Sequence, residues 1–186
     1  MADQRSNSFF TESGDGALVM KVPGDPSSSG CVTTPNSNYC RTELRETSPS
    51  SWDPNASVNS LSATLIVESC DSTVIGQIHI EDSVSSKPVA ELFINGNGLI
   101  QLGVEQTRSG GNEIRTTVGT VPLGTKFSYT ITYQNNVLQV SLNGGAPQTF
   151  STYSLDAPPS YFKVGNYNQA GSASDVHFFS ITTSHS

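Results

Sequence analysis

The side chains in this 186-residue sequence best suited to chemistry fall on three short segments: RTELRE at 41–46, QIH at 77–79 and YFKVGNYNQ at 161–169. Along an extended strand, side chains alternate between two faces. Arg41, Glu43 and Arg45 then share one face, with Thr42 and Leu44 on the other. Gln77 and His79 point the same way, backed by Ile78 and Ile80. Tyr161, Lys163, Gly165 and Tyr167 form a third row, opposed by Phe162 and Val164. Three such strands side by side would offer guanidinium, ammonium, amide, imidazole and phenol groups to one groove. That is a surface for binding an anionic polymer.

The elements that must position these rows are themselves legible. Short β-branched and aromatic runs recur near 17–22, 40–46, 62–68, 73–81, 88–94, 99–105, 112–118, 126–133, 136–142, 147–150, 160–167 and 174–182, separated by Gly, Asn, Pro and Ser. Phe127, Tyr129, Ile131 and Tyr133 alternate with polar residues, and Gln134-Asn135-Asn136 turns the chain into the next run. No window carries an apolar stripe at helical spacing. Many short strands at regular intervals predict an all-β fold, a two-sheet antiparallel β-sandwich of jelly-roll type. Its concave sheet would form the groove, with loops 23–38, 47–60 and 82–88 as candidate walls. The length fits a single domain over 1–186.

Nine Lys and Arg against sixteen Asp and Glu give a net charge of −7, which argues against nucleic acid or an anionic membrane as partner. It does not argue against an anionic substrate, because Arg41, Arg45 and Lys163 would concentrate positive charge in one cleft of an acidic body. No run has the apolar length of a membrane helix. The first residues, Met1 to Ser6, lack the hydrophobic core of a signal peptide, so the expectation is a secreted protein whose signal has been removed. Of the three cysteines, Cys31 and Cys40 are expected to pair and close a short loop just before Arg41, leaving Cys70 as a buried thiol. The cysteines have neither CxxC spacing nor nearby histidine, so no metal site and no cofactor is expected. The chain is expected to act as a monomer.

RTELR, QIH and YFKxGxYxQ, in this order along a β-rich chain, resemble the three signature blocks of the alginate lyases of polysaccharide lyase family seven. The third block matches at every fixed position, and together the blocks span residues 41–169. The resemblance implies an endo-acting lyase on alginate, an anionic polysaccharide, that cuts 1,4-linkages by β-elimination and leaves a 4,5-unsaturated uronate. It implies Arg41, Gln77, His79 and Tyr167 as catalytic residues. Glu43, Arg45, Tyr161, Lys163, Asn166 and Gln169 follow as substrate-binding ones.

Such an elimination removes the C5 proton beside a carboxylate and expels the glycosidic oxygen at C4. The carboxylate must be neutralised by preorganised donors, for which Arg41, Gln77 and His79 are suited. By the resemblance, Tyr167 moves the protons, with His79 as base where the sugar's C5 proton lies on the other face. Several residues also have plainer readings. Glu43, between two arginines, would orient them; Arg45 and Lys163 would hold flanking carboxylates; Tyr161 could simply pack. Asn166 faces away from Tyr167 on a regular strand, so a binding role for it needs a bulge. Gln169 could bind substrate or satisfy the strand's end. His177 and His185 are read as incidental. A glycoside hydrolase would need two facing carboxylates, whereas Glu43 and Glu46 point to opposite faces. A non-catalytic polyuronate-binding module and a glucuronan lyase are the remaining alternatives.

Overall fold

The computed structural model describes residues 10–29, 31, 33 and 37–186. Alternation dictates the strands. In the run Phe127–Gln134 the four apolar side chains are buried and the intervening polar ones half-exposed. The following turn places Asn135 at φ 49° and Asn136 at φ 56°, the left-handed pair that a two-residue hairpin turn needs and that asparagine tolerates.

Two antiparallel sheets result. One has seven strands in the order β1 (Phe10–Glu12), β2 (Leu18–Val22), β13 (Ser174–His185), β4 (Asn59–Ser69), β9 (Phe127–Gln134), β10 (Val137–Leu142) and β11 (Gln148–Phe150). The other has six: β3 (Arg41–Arg45), β12 (Ser160–Asn168), β5 (Ser72–Ile80), β6 (Pro88–Asn95), β7 (Leu99–Val104) and β8 (Ile114–Thr120). One short helical turn, Pro26–Ser29, interrupts them. The β-sandwich expected from the sequence is present, and each expected strand falls within a few residues of an observed one. The core lies between the sheets, where Leu61, Leu65, Ile78, Ile80, Leu92, Tyr129 and Phe162 are all buried. Each fully buried aliphatic side chain there contributes about 1.5–3 kcal/mol.

Two polar devices tie the six-stranded sheet to its neighbour. Thr42 Oγ1 donates to the Lys21 carbonyl at 2.7 Å and Asn166 Nδ2 to that of Met20 at 2.9 Å, holding β3 and β12 against β2. At the other end of β3, Glu46 takes hydrogen bonds from Trp52 Nε1 (3.0 Å) and the Phe162 amide (3.1 Å), and lies 2.7 Å from His185 Nε2. His185 Nδ1 meets Asn59 Oδ1 at 2.9 Å. The histidine read as incidental is therefore part of the seam between the sheets.

Loop 47–60 does not wall a groove on the six-stranded sheet. Trp52 bridges to Ser160 and the carbonyls of Pro54 and Ala56 accept from Asn136 and Asn135, so the loop packs on the β9–β10 turn. Residues 59 and 60 already belong to β4. Within loop 23–38, positions 30, 32 and 34–36 lie outside the described residues, as do Met1 to Ser6.

Candidate active site

The outward face of the six-stranded sheet carries a cleft of about 310 Å³. Register explains its floor. Tyr167 pairs with Arg41, Gly165 with Glu43 and Lys163 with Arg45, so the rows on β12 and β3 share a face. On the other side of β12, Lys163 pairs with Gln77 and Tyr161 with His79. Between Val164 and Tyr167 the β12–β5 register shifts, yet the alternation against β3 is kept. Gly165 is needed where it stands, because a Cβ there would strike the Thr42 carbonyl and Glu43 Cα.

Seven of the ten expected residues line the cleft: Arg41, Arg45, Gln77, His79, Tyr161, Lys163 and Tyr167. Glu43 sits just beneath, with its buried carboxylate accepting from Arg41 Nη1 at 3.4 Å and from Gln77 Nε2. Burial pushes its carboxyl up, opposed by Lys163, Arg41 and Gln77. These contacts place it where it could orient both the arginine and the amide. Two expected residues lie elsewhere. Asn166 is 0% exposed and turned between the sheets, where its Oδ1 accepts from Thr73 and Ser174. The β12 irregularity does not bring it round to the cleft. Gln169 donates to the carbonyls of Tyr167 and Asn168, the end-of-strand alternative to substrate binding.

His79 is buried, stacked on Tyr161 at 5.1 Å between ring centroids. Its Nδ1 lies 2.9 Å from the Ile80 carbonyl. Burial, then the charge of Lys163, lowers its pKa to about 4, so the ring is neutral around pH 7. The proton sits on the nitrogen that faces a carbonyl, and Nε2 keeps its lone pair. The imidazole expected to donate to a substrate carboxylate is thus an acceptor in this geometry. Tyr161 is also less free than expected. Its hydroxyl donates to Asp82 Oδ1 at 2.9 Å, the Arg45 guanidinium lies 3.9 Å from its ring centre, and Arg45 Nη1 binds Asp82 Oδ2 at 2.6 Å. Burial raises the Tyr161 pKa, while Arg45 and the tyrosine hydroxyl hold Asp82 low. Lys163 is held below its usual range, chiefly by burial. Tyr167 is half-buried, its ring 4.0 Å under the Arg41 guanidinium and its hydroxyl 2.9 Å from Ser37 Oγ.

Reading the three blocks alone misses the other side of the cleft. Asp82, Ser86, Lys87 and Pro88 come from loop 82–88, an expected wall that does line it, and Glu91 and Glu105 from β6 and just past β7. Alternation on β6 puts Glu91 beside Gln77, a signal the sequence did carry. The Glu91 carboxyl is pushed well above the carboxylate range, first by burial and then by Glu113. Cys31 and Cys40 are disulfide-bonded and Cys70 is a buried thiol raised to about 11 by burial. Among the described residues, no group of three or more His, Cys, Asp or Glu is placed to hold a metal ion.

The sequence model of the alginate lyase family matches residues 2–185. The chain belongs to that family. It is a polysaccharide lyase, and solved alginate lyases of polysaccharide lyase family seven share its fold. A tyrosine-to-phenylalanine variant of the family 7 alginate lyase A1-II′, in complex with product (GGG), superposes with TM-score 0.84 at 23% identity, over 97% of this chain and 85% of that one. The alginate lyase from Pseudomonas aeruginosa gives 0.81 at 28% identity, over 97% and 87%. The exolytic enzyme from Zobellia galactanivorans gives 0.78 at 18%, over 97% and 88%. Comparison with curated proteins gives no match.

Proposed function

We propose that this alginate lyase is an endo-acting, secreted enzyme that cleaves 1,4-linked uronans by β-elimination. The observation that carries this reading is the convergence of Arg41, Gln77, His79, Lys163 and Tyr167 on one cleft. Arg41 and Gln77, aimed by Glu43, neutralise the uronate carboxylate and stabilise the charge that grows on it as the C5 proton leaves. Tyr167 donates the proton that lets the C4 oxygen depart, and takes the C5 proton where the sugar presents it to that side. The Nε2 lone pair of His79 takes the C5 proton on the epimer that presents it to the other side. Lys163 and Arg45 hold neighbouring carboxylates.

The cleft runs from β3 across β12, β5 and β6 to the end of β7. Strand spacing makes that roughly 19 Å, room for sugars on both sides of the scissile bond, as internal cleavage requires. No step needs a metal. The test is to incubate the protein with alginate and record the ultraviolet absorbance of the conjugated product together with product size. Absorbance rising while long oligomers persist is expected. Reducing ends without absorbance would mean hydrolysis, binding without either would mean a non-catalytic module, and monomers from the outset would mean exolytic action.

A further inference from the structure

Outside the three blocks, a serine that no motif singles out touches the tyrosine of the cleft. Ser37 is 8% exposed, and its Oγ has three neighbours at hydrogen-bond distance: the Tyr39 carbonyl at 3.0 Å, the Tyr39 amide at 3.2 Å and the Tyr167 hydroxyl at 2.9 Å. A serine hydroxyl has one proton to give. The carbonyl can only accept, so that proton is spent on Tyr39. Toward Tyr167, Ser37 is left as an acceptor, and the phenol must donate. The Tyr167 proton is therefore held in one direction, with the oxygen's lone pairs turned elsewhere.

The serine is itself anchored. It stands three residues before Cys40, whose disulfide to Cys31 closes the loop, and the Cys40 carbonyl accepts from the Asn168 amide at 3.1 Å, one residue past Tyr167. The loop and the tyrosine's strand are thus pinned together beside the contact. On the ring, the Arg41 guanidinium at 4.0 Å limits tilt.

We infer that Ser37 is a positioning residue for the elimination, holding the Tyr167 hydroxyl in place before the step and stabilising the tyrosine's negative charge through a hydrogen bond once its proton is transferred. As the phenol turns its proton from Ser37 to O4, the C4–O4 bond breaks with its electron pair going to the departing oxygen, the electron pair of the C5–H bond forms the C4–C5 double bond, and the C5 proton goes to the base. The phenolate left behind takes a hydrogen bond from the same Ser37 hydroxyl, turned from the Tyr39 carbonyl. One rotor serves both protonation states of the tyrosine without solvent having to reorganise.

The inference rests on the proton-transfer role proposed for Tyr167, and a double-mutant cycle separates the two. Ser37→Ala should lower kcat roughly tenfold, the equivalent of one lost hydrogen bond, with KM and melting temperature little changed. Ser37→Thr, which keeps a hydroxyl, should restore most of the rate. In a Tyr167→Phe background Ser37→Ala should cost nothing further, since there is no phenol to position. A parental kcat in Ser37→Ala beside an impaired Tyr167→Phe overturns the Ser37 assignment alone. So does an equal loss in both backgrounds, or a failure of Ser37→Thr to rescue. A fully active Tyr167→Phe overturns the tyrosine's role, and the serine's with it.

Discussion

His79 Nδ1 lies 2.9 Å from the carbonyl oxygen of Ile80, the next residue along the same strand. The consequence is a ring with its proton on one nitrogen and its lone pair on the other, held neutral by burial down to a pKa of about 4 from an ordinary 6.5. As a base it stays competent well into mild acid. On substrates where His79 takes the C5 proton, the acid limb of kcat/KM should fall near pH 4 and not near 6.5, as a rate profile will show. Stability follows the same group. Because its folded pKa is depressed, the unfolded chain binds the proton first, so the stability present above 6.5 is lost as pH falls through about 4. The stability of the parent relative to His79→Asn should drop across that window in denaturant titrations.

Tyr167 and Lys163 lie on one face of β12 but should affect different kinetic constants. Tyr167→Phe keeps the ring under Arg41 and loses only the hydroxyl, so kcat should fall by roughly 10²–10⁴-fold with affinity little changed. Lys163→Ala should mainly raise KM and make the remaining activity less sensitive to salt, since it removes uniform attraction to a polyanion. Steady-state kinetics on mannuronate-rich and guluronate-rich alginate at two ionic strengths checks both. Normal turnover of both substrates by Tyr167→Phe would remove the tyrosine from the mechanism.

Why the three blocks converge was legible, because period-two alternation alone puts Arg41, Gln77, His79, Lys163 and Tyr167 on one face once their strands are neighbours. That β12 lies between β3 and β5 was not, since strand order depends on which faces bury best against the second sheet and leaves no local mark. Asn166 shows how alternation and motif can disagree. Its place in a signature block suggested substrate, while its parity suggested the core, and parity was right. Glu91 shows the opposite lapse, for its parity pointed into the cleft and no motif drew attention to it. Ser37 could not be seen at all, as its contact with Tyr167 joins residues 130 apart through a loop without periodicity.

Glu46 makes a prediction about stability alone. Trp52, the Phe162 amide and His185 all depend on its carboxylate. Glu46→Ala strands these groups in the seam between the sheets, where each lost partner costs about 1–3 kcal/mol. A drop in melting temperature of many degrees is expected. Glu46→Gln keeps an acceptor oxygen and should lose much less. Near-parental melting of Glu46→Ala would show that water replaces the carboxylate.

Glu91 is a carboxyl group on the wall of a cleft that must receive a polyanion, and its neighbours explain how that is tolerated. It stands beside Gln77 on one side and Gly103 on the other, with Arg115 next in the row. The missing side chain at Gly103 makes room for the carboxylate of Glu113, which would collide with any Cβ there. Glu113 takes a hydrogen bond from Arg115 Nε at 2.7 Å and meets Glu91 on its other flank. Burial, Glu113 and Glu43 all raise the Glu91 pKa, with Arg115 opposing, so Glu91 enters the neutral range as an uncharged acid. A raised carboxyl contributes stability below its unfolded pKa and loses it as pH rises through the folded one. In mildly alkaline solution Glu91 should ionise, repel the substrate and strain the site. Glu91→Gln, which imitates the protonated form, should leave neutral kcat/KM nearly unchanged, flatten the alkaline rise in KM and improve alkaline stability over the parent. If Glu91→Gln instead reproduces the parent's alkaline KM profile, the titrating group lies elsewhere in the cleft, with Lys163 the next to test.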